Sequence, residues 1–88
     1  MSLNQPIWTY TLNNGTLTIN ESNGLVVLSI CLQSGTGTIL GSGNAGALFS
    51  NDIALVVGQP VTVSGEGGLP LGEITITTDG VVALIGRI

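Results

Sequence analysis

No segment of this 88-residue chain keeps an apolar period of 3.6 residues for as many as ten positions. That absence constrains the fold more than any other feature. Helical faces need apolar residues at i, i+3, i+4 and i+7, whereas strands need alternation. Parallel sheets need crossover connections, usually helices. Without helices, the sheets must be mostly antiparallel. The chain is therefore expected to be all-β: one small antiparallel β-sandwich of jelly-roll type, or a barrel, built from seven to eight short strands. Residues 1–6, ending at Pro6, read as a flexible tail, and 7–88 as the single domain.

The strongest strand is Leu25–Leu32, which has no charge, Gly or Pro. Its even positions, Val26, Leu28, Ile30 and Leu32, make one apolar face. Its odd positions, Leu25, Val27, Ser29 and Cys31, make a mixed one. Such a strand belongs in the middle of a sheet, with its mixed face against something drier than bulk water. Trp8, Tyr10 and Leu12 alternate with Ile7, Thr9 and Thr11, and Leu17 with Thr16 and Thr18. Asn13-Asn14-Gly15 between these runs predicts a hairpin, because Asn-Gly accepts positive φ at both central positions. Thr78-Asp79-Gly80 predicts a second hairpin for the same reason, and Gln33-Ser34-Gly35 a reversal after the central strand. Further strands are expected at Thr36–Leu40, Asp52–Val57, Pro60–Ser64, Leu71–Thr77 and Val81–Ile88. Ala47–Asn51 fits either a helical turn or a loop.

Charge excludes several functions. The charged residues are Glu21, Asp52, Glu66, Glu73, Asp79 and Arg87, giving a net charge of −4 and only 7% charged residues. An ordinary domain has about 25%. One cation cannot neutralise a phosphate backbone, so nucleic-acid binding is excluded. No apolar run reaches the length of a membrane helix, and the first residues lack the basic and apolar regions of a signal peptide. A domain this short needs a staple. One Cys allows no internal disulfide, and there is no His for a zinc site. Self-association is the staple that remains.

Sites for chemistry are sparse. Gly41-x-Gly43-x-x-Gly46 matches a dinucleotide-binding pattern in letters, but no helix follows it. Cys31 and the serines lack a His to activate them, so Cys31 reads as a small buried hydrophobe. The five acids are not spaced as a calcium loop. No enzyme activity, catalytic residue, metal ligand or cofactor is expected. Trp8 and Tyr10 share a strand face and are candidates for a subunit interface or for a glycan contact. Arg87, near the end of an apolar strand, is a third candidate, paired with an acid across a subunit boundary or reaching water. Asn14-Gly15-Thr16 and Asn20-Glu21-Ser22 fit the glycosylation pattern, but both lie where turns want Asn.

Residues 54–63, Ala-Leu-Val-Val-Gly-Gln-Pro-Val-Thr-Val, are followed by Leu69-Pro70-Leu71-Gly72-Glu73-Ile74-Thr75-Ile76 and by Gly80-Val81-Val82-Ala83-Leu84-Ile85. Over 52–88 this pattern resembles small β-rich virion proteins of bacteriophages. The resemblance implies a structural part of a virion, such as a capsid, spike or tail component. It further implies assembly as a homo-oligomer, with a trimer favoured, and contacts to other virion proteins. The alternative expectation is a carbohydrate-binding or adhesin module at a cell surface, using Trp8 and Tyr10.

Overall fold

A computed structural model describes residues 7–41, 52–65 and 69–87. The strands are β1 (Ile7–Ile19), β2 (Val27–Ser34), β3 (Gly37–Gly41), β4 (Ile53–Ala54), β5 (Val61–Ser64) and β6 (Ile74–Arg87). All pairings between them are antiparallel. The expected class is therefore what the chain adopts, a curled antiparallel sheet of the jelly-roll or barrel kind. Its division into strands differs from expectation. Six strands lie among the described residues, and two of them, at 13 and 14 residues, are long.

The sheet is organised around β6 rather than around β2. Along one edge, β6 pairs with the whole of β1, from Ile7↔Arg87 to Ile19↔Ile74. Along the other edge, β2 pairs with residues 81–87 and β3 with residues 74–78. Thus β2 and β3 lie end to end along one strand. β5 flanks β2, and β4 flanks β3.

Neither predicted hairpin forms. Asn13-Asn14-Gly15 lies inside β1, and Thr78-Asp79-Gly80 lies inside β6. The two signals face each other across the β1–β6 ladder, where the register shifts between Asn13↔Val81 and Gly15↔Thr78. Asn14 takes a positive φ of 42° there. An irregularity of this kind bends a strand without reversing it. The expected reversal at Gln33-Ser34-Gly35 is also absent. Gln33 is an extra residue in the β2–β6 register, and Gly35, at φ 75°, passes the chain on into β3 in the same direction. Three neighbouring rows therefore break at one level, and the sheet folds along that line.

Folding the sheet places one face inside. Above the corner, Val63, Leu28 and Gly86 lie in one cross-strand row with Trp8. Val61, Ile30 and Leu84 lie in the next with Tyr10, and Leu32 and Val82 in the third with Leu12. Below it, Leu17, Ile76, Ile39 and Ile53 share a row, beside Ile19 and Ile74. Leu12, Ile19, Leu28, Ile30, Leu32, Ile39, Val63, Ile74, Ile76, Val82 and Leu84 are all buried in one cluster. At about 25 cal/mol per Å² of apolar surface removed from water, this cluster dominates the stability of so short a chain.

Two local devices complete the frame. After β1, Asn20 to Gly24 forms a 3-10 turn (Glu21–Asn23) with a reciprocal cap. Asn20 Oδ1 accepts from Ser22 N at 3.0 Å, while Asn20 N donates to Asn23 Oδ1 at 2.9 Å. Leu25 then turns inward and is buried, whereas Val26 is half-buried. This reverses the alternation expected at the start of the central strand, because β2 begins only at Val27. Val26 N bonds to Arg87 O and Leu71 N to Leu25 O, each at 2.7 Å. The expected strand at 52–57 is cut to Ile53–Ala54. Val56 and Gln59 then bridge across a tight turn with Gly58 at φ 82°. The tail at 1–6, most of the Gly-rich stretch at 41–46, and the segment 47–51 lie outside the described residues.

Candidate functional site

The corner of the folded sheet creates a cleft of about 430 Å³ between β3, β4 and β6. Thr36, Gly37, Thr38, Ala54, Leu55, Thr77, Thr78 and Asp79 line it. Thr38, Thr77 and Ala54 form one cross-strand row. Because strand side chains alternate, that row stands on the opposite face from the core row of Ile39, Ile76 and Ile53.

Hydrogen bonds fix the end of the cleft nearest the corner. The Asp79 carboxylate accepts from Thr36 N at 2.7 Å, and Asp79 N donates to Thr36 O at 3.2 Å. Thr78 Oγ1 donates to Thr36 O at 2.7 Å and accepts from Gly80 N at 3.0 Å. Leu55 N donates to Gly37 O at 2.8 Å, which brings the Leu55 side chain against the cleft floor. The bond from Thr36 N holds the Asp79 carboxyl below the usual aspartate range. The cleft thus carries a fixed negative charge, while Arg87 lies at the far end of β6.

The candidates read from the sequence lie elsewhere and do not form one site. Trp8 and Tyr10 stack with ring centroids 5.8 Å apart and planes 5° from parallel. Their register partners, Gly86 and Leu84, put them on the core side of the sheet. A methyl group on Gly86 would come within 3.3 Å of the Trp8 ring and closer still to Leu25, so this glycine makes room for both. Trp8 packs against the core, and Tyr10 stays 44% exposed at its margin. Arg87 lies between Ile7 and Val27 and makes no ion pair among the described residues. Cys31 is a half-buried free thiol. No three His, Cys, Asp or Glu side chains come together among the described residues.

Sequence reasoning passed over the cleft residues. Asp79 reads there as part of a hairpin turn, and Thr36 and Thr38 only as the start of a short strand. The available signal was the coincidence of Thr36-x-Thr38 and Thr77-Thr78-Asp79, each beside a turn signal.

The geometry defines a small, curled antiparallel β-sheet with a cleft of mixed apolar and polar lining at its fold line. A solved structure similar to it is an RmlC-like cupin protein from Desulfovibrio desulfuricans. The likeness has a TM-score of 0.61 at 18% sequence identity and covers 99% of this chain and 74% of that one. No protein-family model and no curated protein matches the chain. The likeness shows the fold. It also corrects the functional expectation of a phage structural component or, alternatively, a carbohydrate-binding adhesin module, since the solved structure that the chain is similar to is an RmlC-like cupin protein. The physical reason lies in 52–88. The hairpin that completed the virion-like pattern is one continuous strand, β6. Likewise Asn13 and Asn14, assigned to an exposed turn beside the aromatics, belong to β1.

Proposed function

We propose that this chain is a small-molecule binding module, and that the corner cleft is its site. The observation that carries this reading is the wall of four threonines and one ionised aspartate facing the apolar Ala54 and Leu55. Ligand pockets run from about 300 to 1,000 Å³ and combine apolar surface with a few fixed polar groups. A cleft of 430 Å³ fits that range. The charge selects the ligand. Asp79 favours a cation or a neutral hydroxyl-bearing molecule and repels anions. The reading is of binding rather than turnover. Thr78 Oγ1 already donates to Thr36 O and accepts from Gly80 N, so it is tied up as a nucleophile, while Asp79 Oδ1 accepts from Thr36 N and its second oxygen faces the ligand.

Amide chemical shifts during titration with ethanolamine, glycerol and acetate test the proposal. Ethanolamine is expected to move the Thr36, Thr38 and Asp79 amides saturably, glycerol more weakly, and acetate not at all. Asp79→Asn should weaken ethanolamine binding about tenfold, the scale of one hydrogen bond to a charged group. Thr38→Val, which leaves the corner bonds in place, should weaken it less. Unmoved amides, or equal binding by Asp79→Asn, would overturn the site.

A further inference from the structure

We propose that the N-terminal arm of β1 is a homodimer interface, in which Ile7–Asn13 pairs antiparallel with the same residues of a second copy. The inference is independent of the cleft, which lies across β6. Among the described residues β1 pairs only with β6, so its other edge offers a row of backbone donors and acceptors. Exposed edges are normally blunted by charge, Pro or short length. From Ile7 to Ile19 there is no charged residue and no Pro, and the strand has 13 residues. The other outer strands, β4 and β5, have two and four residues. Among the described strands only β1 is long enough to extend the sheet, so two copies joined along it use up the long edge that those strands present.

The occupant is a second copy because the arm is complementary to itself. The irregularity at Asn14 ends the straight part of β1, leaving seven residues with Tyr10 at their centre. Antiparallel pairing over all seven therefore puts the twofold axis at Tyr10. Tyr10 then faces its own copy, Trp8 faces Leu12, and Thr9 faces Thr11. No charge meets its like anywhere along the arm. The same register accounts for the two aromatics on an otherwise Thr-rich strand. Tyr10 lies in a core row yet is 44% exposed, and the second copy would cover it.

Sedimentation of the full chain at micromolar concentration tests this. The wild type is expected at the mass of two chains. Thr9→Lys with Thr11→Lys places Lys opposite Lys in the proposed register, and should sediment as one chain with an unchanged far-UV spectrum. Thr9→Lys with Thr11→Glu places Lys opposite Glu and should restore the dimer. Thr16→Lys, past the irregularity on the same strand, should stay dimeric. A wild type of one-chain mass overturns the proposal, as does a dimer that survives the paired lysines. Failure of the Lys–Glu pair to restore association overturns the register. Should the paired lysines unfold the chain, hydrogen exchange on the wild type decides, since amides of residues 7–13 must gain protection as concentration rises.

Discussion

Thr36 and Asp79 hold each other from both ends. The carboxylate of Asp79 accepts from the Thr36 amide at 2.7 Å, and the Asp79 amide donates to the Thr36 carbonyl at 3.2 Å. The two residues are 43 apart in the chain. Their bonds fasten the β2–β3 crossing to the middle of β6, at the level where the sheet folds.

This fastening makes stability depend on acid in one direction. The folded-state pKa of Asp79 is lowered by the Thr36 amide bond. A lowered carboxyl pKa contributes stability that is fully present above the unfolded value, near 4, and is lost as pH falls through the folded value. The urea midpoint should therefore drop as pH is taken below about 4. In Asp79→Asn that part of the drop should be missing. An identical acid profile for the two proteins would count against the bond.

Close approach at the corner predicts a contrast between two glycines. A methyl group on Gly80 would run into the Ser34 carbonyl, whereas one on Gly58 meets nothing within 4 Å. Gly58→Ala suffers only the cost of a left-handed φ of 82°, about 1–2 kcal/mol. Gly80→Ala must shift backbone and should cost about 3 kcal/mol. Urea unfolding with an unchanged slope gives both values.

The reciprocal cap at Asn20 predicts a loss of about 1 kcal/mol for Asn20→Ala, typical of a lost cap. Asn23→Ala should lose a similar amount, and the double variant less than the total of the two, because each residue serves the other's backbone. Strict additivity in thermal unfolding would show that the two bonds are not coupled.

Core and surface isoleucines on β6 should separate widely. Ile76 is fully buried and Ile85 is 56% exposed. Ile76→Ala should cost about 2–5 kcal/mol through lost transfer energy and a cavity. Ile85→Ala should stay within about 0.5 kcal/mol. Denaturant midpoints measured side by side decide this.

The fold class was legible because alternation is a local property. Leu28, Ile30 and Leu32 are all buried, and so are Ile74 and Ile76, as their period of two requires. Bends were not distinguishable from reversals. Asn14-Gly15 and Asp79-Gly80 mark backbone that leaves the extended region, and both a hairpin and a bulge need such residues. Which one forms depends on the partner strand, and here each signal lies opposite the other. Leu25 departs from the alternation of the central strand for a related reason: it precedes β2, and its side chain fills the space that Gly86 leaves. The cleft was hidden because it joins Thr36 to Asp79, a proximity set by pairing and not by spacing.

Among the described residues every long ladder involves β6, the last of the six strands in chain order. Residues 7 and 87 are direct partners. Until β6 emerges, β1, β2 and β3 have no strand in common to join them, and docking β1 closes loops, from Ile19↔Ile74 to Ile7↔Arg87, that span most of the sequence. Chains dominated by such distant contacts fold in about milliseconds to seconds rather than microseconds. A nascent chain lacking residues 74–87 could therefore pair β2 only with β5 and β3 only with β4, leaving β1 without its partner, and these pieces would join into one sheet only when its centre arrives.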